Sequence, residues 1–391
     1  KEFPERFFDC GIAEQDLVTT AVGLSTTGKI PFASSFAVFI TGRAYDQVRN
    51  SVCYPNFNVK IVGTHGGVTV GEDGASHEAL EDISLMRGLP NMSVFVPADC
   101  NECAQIIRYA SEHVGPMYIR VPRSNVCDVY SEDYKFDFNK ANVLQDGTDV
   151  TIFTNGETVA EVVDAVNDLE KDGYSIGIVS VPVVKPIDKA SIIDCAKKSK
   201  FVITVENHSV IGGLGSAVCE VLADNCPTVV KRIGVNDKFG QSGTAEQLLD
   251  CYGLSAEKLK ETIKQYINEN MSNVVLSIDG TKETNDRMRY RVDGSGSYDT
   301  IVPKFQDLAE SRNQNNYYVR GTFTAYNVDF AKDVIHLADL GFKQTSVEPV
   351  VAPETEDYAL TSEHIEKVCA EYDKLTEEYV KRYDEGRGFN F

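Results

Sequence analysis

Asn58-Val59-Lys60-Ile61-Val62-Gly63 runs directly into Thr64-His65-Gly66-Gly67-Val68-Thr69-Val70-Gly71-Glu72-Asp73-Gly74-Ala75-Ser76-His77-Glu78. The first six residues read as a short strand buried on both faces, and those that follow read as a glycine-rich loop. Similar apolar runs of strand length stand at residues 93–97, 117–121, 150–154, 175–180, 201–206 and 229–233. Helix-period segments separate them, at 14–24, 99–112, 158–170 and 214–223. Buried strands alternating with amphipathic helices indicate parallel βαβ construction, so the fold class is α/β.

A polar, pattern-poor stretch at 125–147 breaks the alternation and reads as an interdomain linker. A second seam lies at 266–272, after an amphipathic helix at 255–266. Beyond it come a strand at 274–278, a helix at 299–311, a strand at 317–322, a helix at 330–340, a strand at 344–347 and a long helical segment from 361. The expected division is therefore a first domain over 1–125, a linker over 126–147, a second domain over 148–267 and a third segment over 268–391.

The 391 residues are enough for two to four domains, and 42% hydrophobic with 25% charged residues is ordinary for a folded globular chain. Lys and Arg number 38 against 59 Asp and Glu, leaving a net charge of −21 that repels a phosphate backbone or an anionic leaflet. Nucleic acid and membrane are thus not expected partners. No apolar run approaches the about 18 residues of a membrane span, and the opening Lys1-Glu2-Phe3-Pro4-Glu5-Arg6 is no signal peptide. Ten scattered cysteines suit free thiols in a reducing, cytoplasmic compartment. Cys100-Asn101-Glu102-Cys103 has no partner pair at ligand spacing, so it reads as two thiols at a helix start rather than a metal site. Ile211-Gly212-Gly213-Leu214-Gly215 lacks the glycine spacing of a dinucleotide loop and reads as a close-packing turn.

Gly11-Ile12-Ala13-Glu14-Gln15 places a carboxylate in the first turn of an apolar helix. By itself such an acid is an ordinary complement to the helix dipole. Three further strings follow it in order: Pro31-Phe32-Ala33-Ser34-Ser35-Phe36-Ala37-Val38-Phe39, then Gly42-Arg43-Ala44-Tyr45-Asp46-Gln47, then the loop quoted above. Together they resemble the pyrimidine-binding domain of transketolases, thiamine-diphosphate enzymes that move two-carbon ketol units between sugar phosphates. Val179-Ser180-Val181-Pro182-Val183-Val184-Lys185-Pro186-Ile187-Asp188 and Glu206-Asn207-His208-Ser209-Val210-Ile211-Gly212-Gly213-Leu214-Gly215 resemble the C-terminal domain of the same family. The likeness covers about residues 1–266 and implies two doubly wound βαβ domains. The Gly71-Glu72-Asp73-Gly74 string looks like the transketolase form of this loop rather than that of deoxyxylulose phosphate synthases.

The resemblance also implies roles. Glu14 matches the acid that hydrogen-bonds the cofactor's aminopyrimidine and promotes its imino tautomer, a task for a buried carboxyl kept protonated by its surroundings. Phe39 matches the aromatic stacked on that ring, with Phe36 beside it; plain strand core is the alternative for both. His65, Asp73 and His77 match polar positions of the substrate channel, where imidazoles bind hydroxyls and shuttle protons. Loop residues satisfied by backbone are the alternative for the two histidines. Arg123 matches a residue that binds the substrate phosphate, with a surface ion pair as the alternative.

The family's Gly-Asp-Gly and downstream Asn, which hold the diphosphate and its Mg ion, have no counterpart here. The implied site is half a site, with diphosphate and Mg supplied by a separate diphosphate-binding N-terminal subunit in a dimeric assembly, as in split transketolases. The opening strand and helix of the family's pyrimidine domain are also expected to be missing ahead of Lys1. From residue 268 the text changes. Asp279-Gly280, Asp286-Arg287-Met288-Arg289, Tyr318-Val319-Arg320-Gly321-Thr322-Phe323-Thr324 and Ser346-Val347-Glu348-Pro349-Val350 resemble the later strands of a radical S-adenosylmethionine barrel, nearest to maturases that form thioethers in six-cysteine peptides. That likeness implies a partial (β/α) barrel, with Arg320 near the S-adenosylmethionine carboxylate and Asp279 near substrate. Cys369 alone cannot ligate an iron–sulfur cluster, so none is expected. The alternatives to a transketolase subunit are a truncated peptide maturase and a non-catalytic chimera.

Overall fold

The computed structural model describes residues 2–171, 174–271, 273–353 and 355–391. The chain divides into two units, Lys1–Ile263 and Lys264–Phe391. In the first unit the strands are β1 (Phe32–Phe36), β2 (Lys60–Thr64), β3 (Ser93–Phe95), β4 (Met117–Arg120), β5 (Asn142–Gln145), β6 (Val150–Thr154), β7 (Ile176–Ser180), β8 (Val183–Lys185), β9 (Phe201–Ser209) and β10 (Val230–Val235). They form two five-stranded sheets, ordered β1-β2-β4-β3-β8 and β10-β9-β6-β7-β5. Each is parallel except for one antiparallel edge strand, β8 in the first and β5 in the second.

β6 and β7 are buried at every residue, as β-branched parallel strands covered on both faces must be. Helices Glu14–Ser25, Cys100–Glu112, Thr158–Lys171 and Leu214–Asn225 occupy the expected segments. Asp99 caps the helix Cys100–Glu112 by accepting from the Glu102 N–H at 2.8 Å, which fixes where that helix starts. The core of the first sheet gathers Val18, Ile40, Val48, Ile61, Met86, Val94 and Tyr118; that of the second gathers Phe153, Val179, Val202, Leu214 and Val218.

Two local expectations are corrected. The stretch read as a linker carries β5 and packs Phe136 and Phe138 against Phe95, with Tyr130 and Ala141 buried. Irregularly spaced aromatics give no periodicity yet bury apolar area. The helix expected at 255–266 runs instead over Ala256–Asn270, into the predicted seam.

The second unit holds β11 (Val274–Ser277), β12 (Tyr317–Phe323) and β13 (Thr345–Pro349), parallel and in sequential order. Its core joins Ile278, Val319, Phe323, Phe330, Val334, Leu337 and Phe342. The segment expected to be a partial barrel is thus a three-stranded parallel sheet with helices Tyr298–Ser311, Ala331–Asp339 and Ile365–Asp384. Among the described residues no helix is long and apolar enough to cross a membrane.

Candidate active site

The first sheet presents the carboxyl ends of β1, β2 and β4 side by side, the place where open α/β sheets collect their functional groups. Phe36 ends β1, His65 follows β2 and Arg123 follows β4. His65 takes a left-handed φ of 59°, which turns the chain sharply into the glycine loop. Its ring stacks on Phe36 at 3.8 Å between centroids, and Phe36 lies 6.0 Å from Phe39. His77, at the far end of the loop, meets Phe39 edge-on at 5.2 Å and Phe36 at 6.0 Å. The two aromatics and two imidazoles thus form one cluster.

Glu14 opens its helix and is buried, 5% exposed. Its carboxyl faces a cation, a partner that the expectation of a protonated acid did not include. Arg43 donates to Glu14 Oε2 at 2.7 Å, and the Ser35 hydroxyl lies 3.4 Å from Oε1. Burial raises the carboxyl, but hydrogen bonds from its own backbone and from Arg43, the charge of Arg43 and the Ser35 hydroxyl outweigh it and hold Glu14 below the ordinary carboxylate range. The same guanidinium lies 4.5 Å from the Phe39 ring centroid. A carboxylate and an aromatic face therefore already share one planar cationic donor, so an aminopyrimidine making the same two contacts fits these residues.

Arg123 donates to the Val70 carbonyl at 2.6 Å and to Asp73 at 3.2 Å, with Glu72 at 3.8 Å. Its guanidinium is nearly half exposed, so an arriving anion can reach it. Burial, then the charge of Arg123, lowers the His65 pKa against a smaller opposing effect of Asp73. The seven residues singled out in the first domain thus belong to one region. Arg43 and Ser35 were missed, although Arg43 stands four residues after Phe39, the spacing that brings side chains together on a helical turn.

Two further motifs have their own local surroundings. Burial, reinforced by Cys100, Glu102 and Asp99, pushes the Cys103 thiol up to about 11, away from the thiolate that a ligand or nucleophile needs. In the 211–215 turn the N–H groups of Leu214 and Gly215 hold the chain's own Glu206 carboxylate at 2.6 and 2.8 Å.

The fold and the site together define a transketolase-type pair of α/β domains. The transketolase pyrimidine-binding domain matches residues 1–128 and the transketolase C-terminal domain matches residues 139–259. A Methanocaldococcus jannaschii protein named for the C-terminal section of transketolase is 50% identical over 269 residues, covering 68% of this chain and 84% of the relative. A 6-deoxy-6-sulfo-D-fructose transketolase subunit of Clostridium sp. is 40% identical, covering 66% of this chain and 80% of the relative. A split-gene transketolase solved as an inactive β4 tetramer is 49% identical with a TM-score of 0.64, covering 68% of this chain and 85% of that one. The chain belongs to the transketolase family, which uses thiamine diphosphate.

Proposed function

We propose that this chain is the pyrimidine-binding half of a split transketolase, which transfers a two-carbon ketol unit between sugar phosphates once a separate diphosphate-binding subunit supplies the diphosphate and Mg site. The observation that carries this reading is the convergence of Glu14, Phe36, Phe39, His65, Asp73, His77 and Arg123 at one end of the first sheet. Thiamine diphosphate, when bound, stabilises the carbanion left by cleavage of the donor sugar. Glu14 would hold the aminopyrimidine by a hydrogen bond and exchange a proton with it, in competition with the Arg43 pair. Phe39 and Phe36 offer the stacking faces. His65 and His77 bind sugar hydroxyls and carry protons, Asp73 orients a hydroxyl, and Arg123 takes the phosphate. The inactive tetramer of the 49% identical relative supports a chain that needs a second subunit.

We read 268–391 as an appended, non-catalytic piece of a radical S-adenosylmethionine barrel. Its sequential parallel strands favour this, as does its single cysteine. Asp279, expected near substrate, has its carboxylate occupied by a bidentate Arg289 at 2.8 and 2.9 Å and by the Thr322 N–H at 3.0 Å.

Calorimetric titration of thiamine diphosphate and Mg into this chain mixed with a diphosphate-binding transketolase subunit tests the reading. Binding and ketol transfer are expected, with transfer lost in Glu14→Gln. A folded chain that neither associates nor supports binding refutes it.

A further inference from the structure

We propose that Glu157 and Asn207, both in the C-terminal domain, are positioning residues that set the loop carrying Asp73 and His77. This rests on reading that loop as the sugar-phosphate channel. The second sheet places β6 between β7 and β9, so the chain leaves β6 in opposite directions and the topological switch point lies between β6 and β9. In an open α/β sheet the crevice at the carboxyl ends of such strands is where a ligand binds. Glu157 follows β6, and Asn207 lies near the end of β9. What they hold is the first domain's own loop.

Asn207 Oδ1 accepts from the Val68 N–H at 3.0 Å, and Glu157 Oε1 accepts from the Thr69 hydroxyl at 2.8 Å. Asn207 Nδ2 donates to the same Glu157 oxygen at 2.5 Å, so the two residues act as one clamp. The buried Arg120 ties the clamp to the loop's other end. It donates to the Asn207 carbonyl at 2.8 Å and the Ala79 carbonyl at 3.2 Å, while the Gly67 N–H closes the neck on Ala79 at 2.9 Å. Gly67 has a φ of +82°, and a Cβ there would overlap the Asn207 side chain, so the approach is fixed from both sides. Arg123 on Val70 and Asp73, the Ser124 hydroxyl on the Thr69 carbonyl and Val68 packed with Val235 and Leu248 are further anchors, leaving Asp73 and His77 between fixed points. Glu14 and Phe39 lie on other elements, and His77 is the loop residue that meets Phe39, edge-on at 5.2 Å.

The proposal is testable on the full chain mixed with a diphosphate-binding transketolase subunit. In Glu157→Ala, hydrogen exchange of residues 66–79 should rise about tenfold while β6 and β9 amides keep their protection. The donor-sugar KM should rise about tenfold, thiamine-diphosphate affinity should change much less than KM, and Glu157→Gln, which retains Oε1, should restore both readouts. Thr69→Val removes one bond without touching the clamp and provides the same test if Glu157→Ala does not fold. Transfer with an unmoved KM in both Glu157→Ala and Thr69→Val overturns the positioning role alone, as does loss of cofactor affinity in step with KM. A wild-type mixture without ketol transfer refutes the transketolase reading and the positioning role with it.

Discussion

Arg43 and Glu14 form an ion pair at 2.7 Å while the same guanidinium covers the Phe39 ring at 4.5 Å. The Glu14 carboxyl is therefore paired with a half-exposed side chain that solvent and ligands can compete away. Removing Arg43 leaves burial as the dominant influence on Glu14. Arg43→Met is expected to move the Glu14 titration upward, measured by carboxyl NMR as the difference between this variant and Arg43→Met combined with Glu14→Gln. A carboxyl held low stabilises the fold above its unfolded pKa and loses that contribution as pH falls, so the variant should also lose part of the acid-limb change in stability.

Glu78 is buried with neither carboxyl oxygen hydrogen-bonded, close against Gly240. Burial pushes it up to about 7 from a reference of 4.5. Between those values the unfolded chain has released the proton that the folded chain keeps, so stability falls as pH rises and the loss is complete above 7. Glu78→Gln should therefore raise Tm at pH 8 and leave it unmoved at pH 4.5. Equal shifts at both pH values would point away from charge burial.

Asp82 takes 2.8 and 2.6 Å hydrogen bonds from Arg120 and Tyr118, all three buried. Arg120→Met strands that carboxylate on a single hydroxyl partner. A cost of about 3–5 kcal/mol follows, read as a fall in the urea midpoint by circular dichroism. Tyr118→Phe, which keeps the ion pair, should cost about 1 kcal/mol.

Two glycines share a positive φ but differ in what a Cβ would meet, and Gly67 also has a ψ of −168°, a region nearly confined to glycine. Gly28 has a φ of +83° with open space around its missing Cβ, whereas Gly67 has a φ of +82° and faces Asn207. Gly28→Ala should cost about 1 kcal/mol. Gly67→Ala should cost clearly more, through its ψ of −168° and the Asn207 contact together, and raise exchange in the loop, whereas equal costs would count against both.

The β-branched cores of β2, β6, β7 and β9 were legible because a strand buried on both faces must be apolar along its length. β8 was not, because three residues between Pro182 and Pro186 give no alternation and its partner β3 lies in another domain. The turns at Phe39–Arg43 and Val48–Cys53 are π-helical, a period that the usual apolar spacings do not reveal. Motif strings drew attention to Glu14, His65 and His77, but the surroundings of Glu14 include Arg43, which only the folded chain brings beside it. Glu157 and Asn207 are 50 positions apart and meet through the order of strands in the second sheet.

β8 lies between β7 and β9 in the chain yet hydrogen-bonds to β3, across residues matched to a different domain family. A recombination break between them would remove an edge from one sheet while leaving the other intact. The two modules are bound to a shared inheritance by an exchanged strand and should melt in a single transition. The third sheet draws every strand from after Lys264, so on the count of strands a genetic join there costs neither neighbour a ladder.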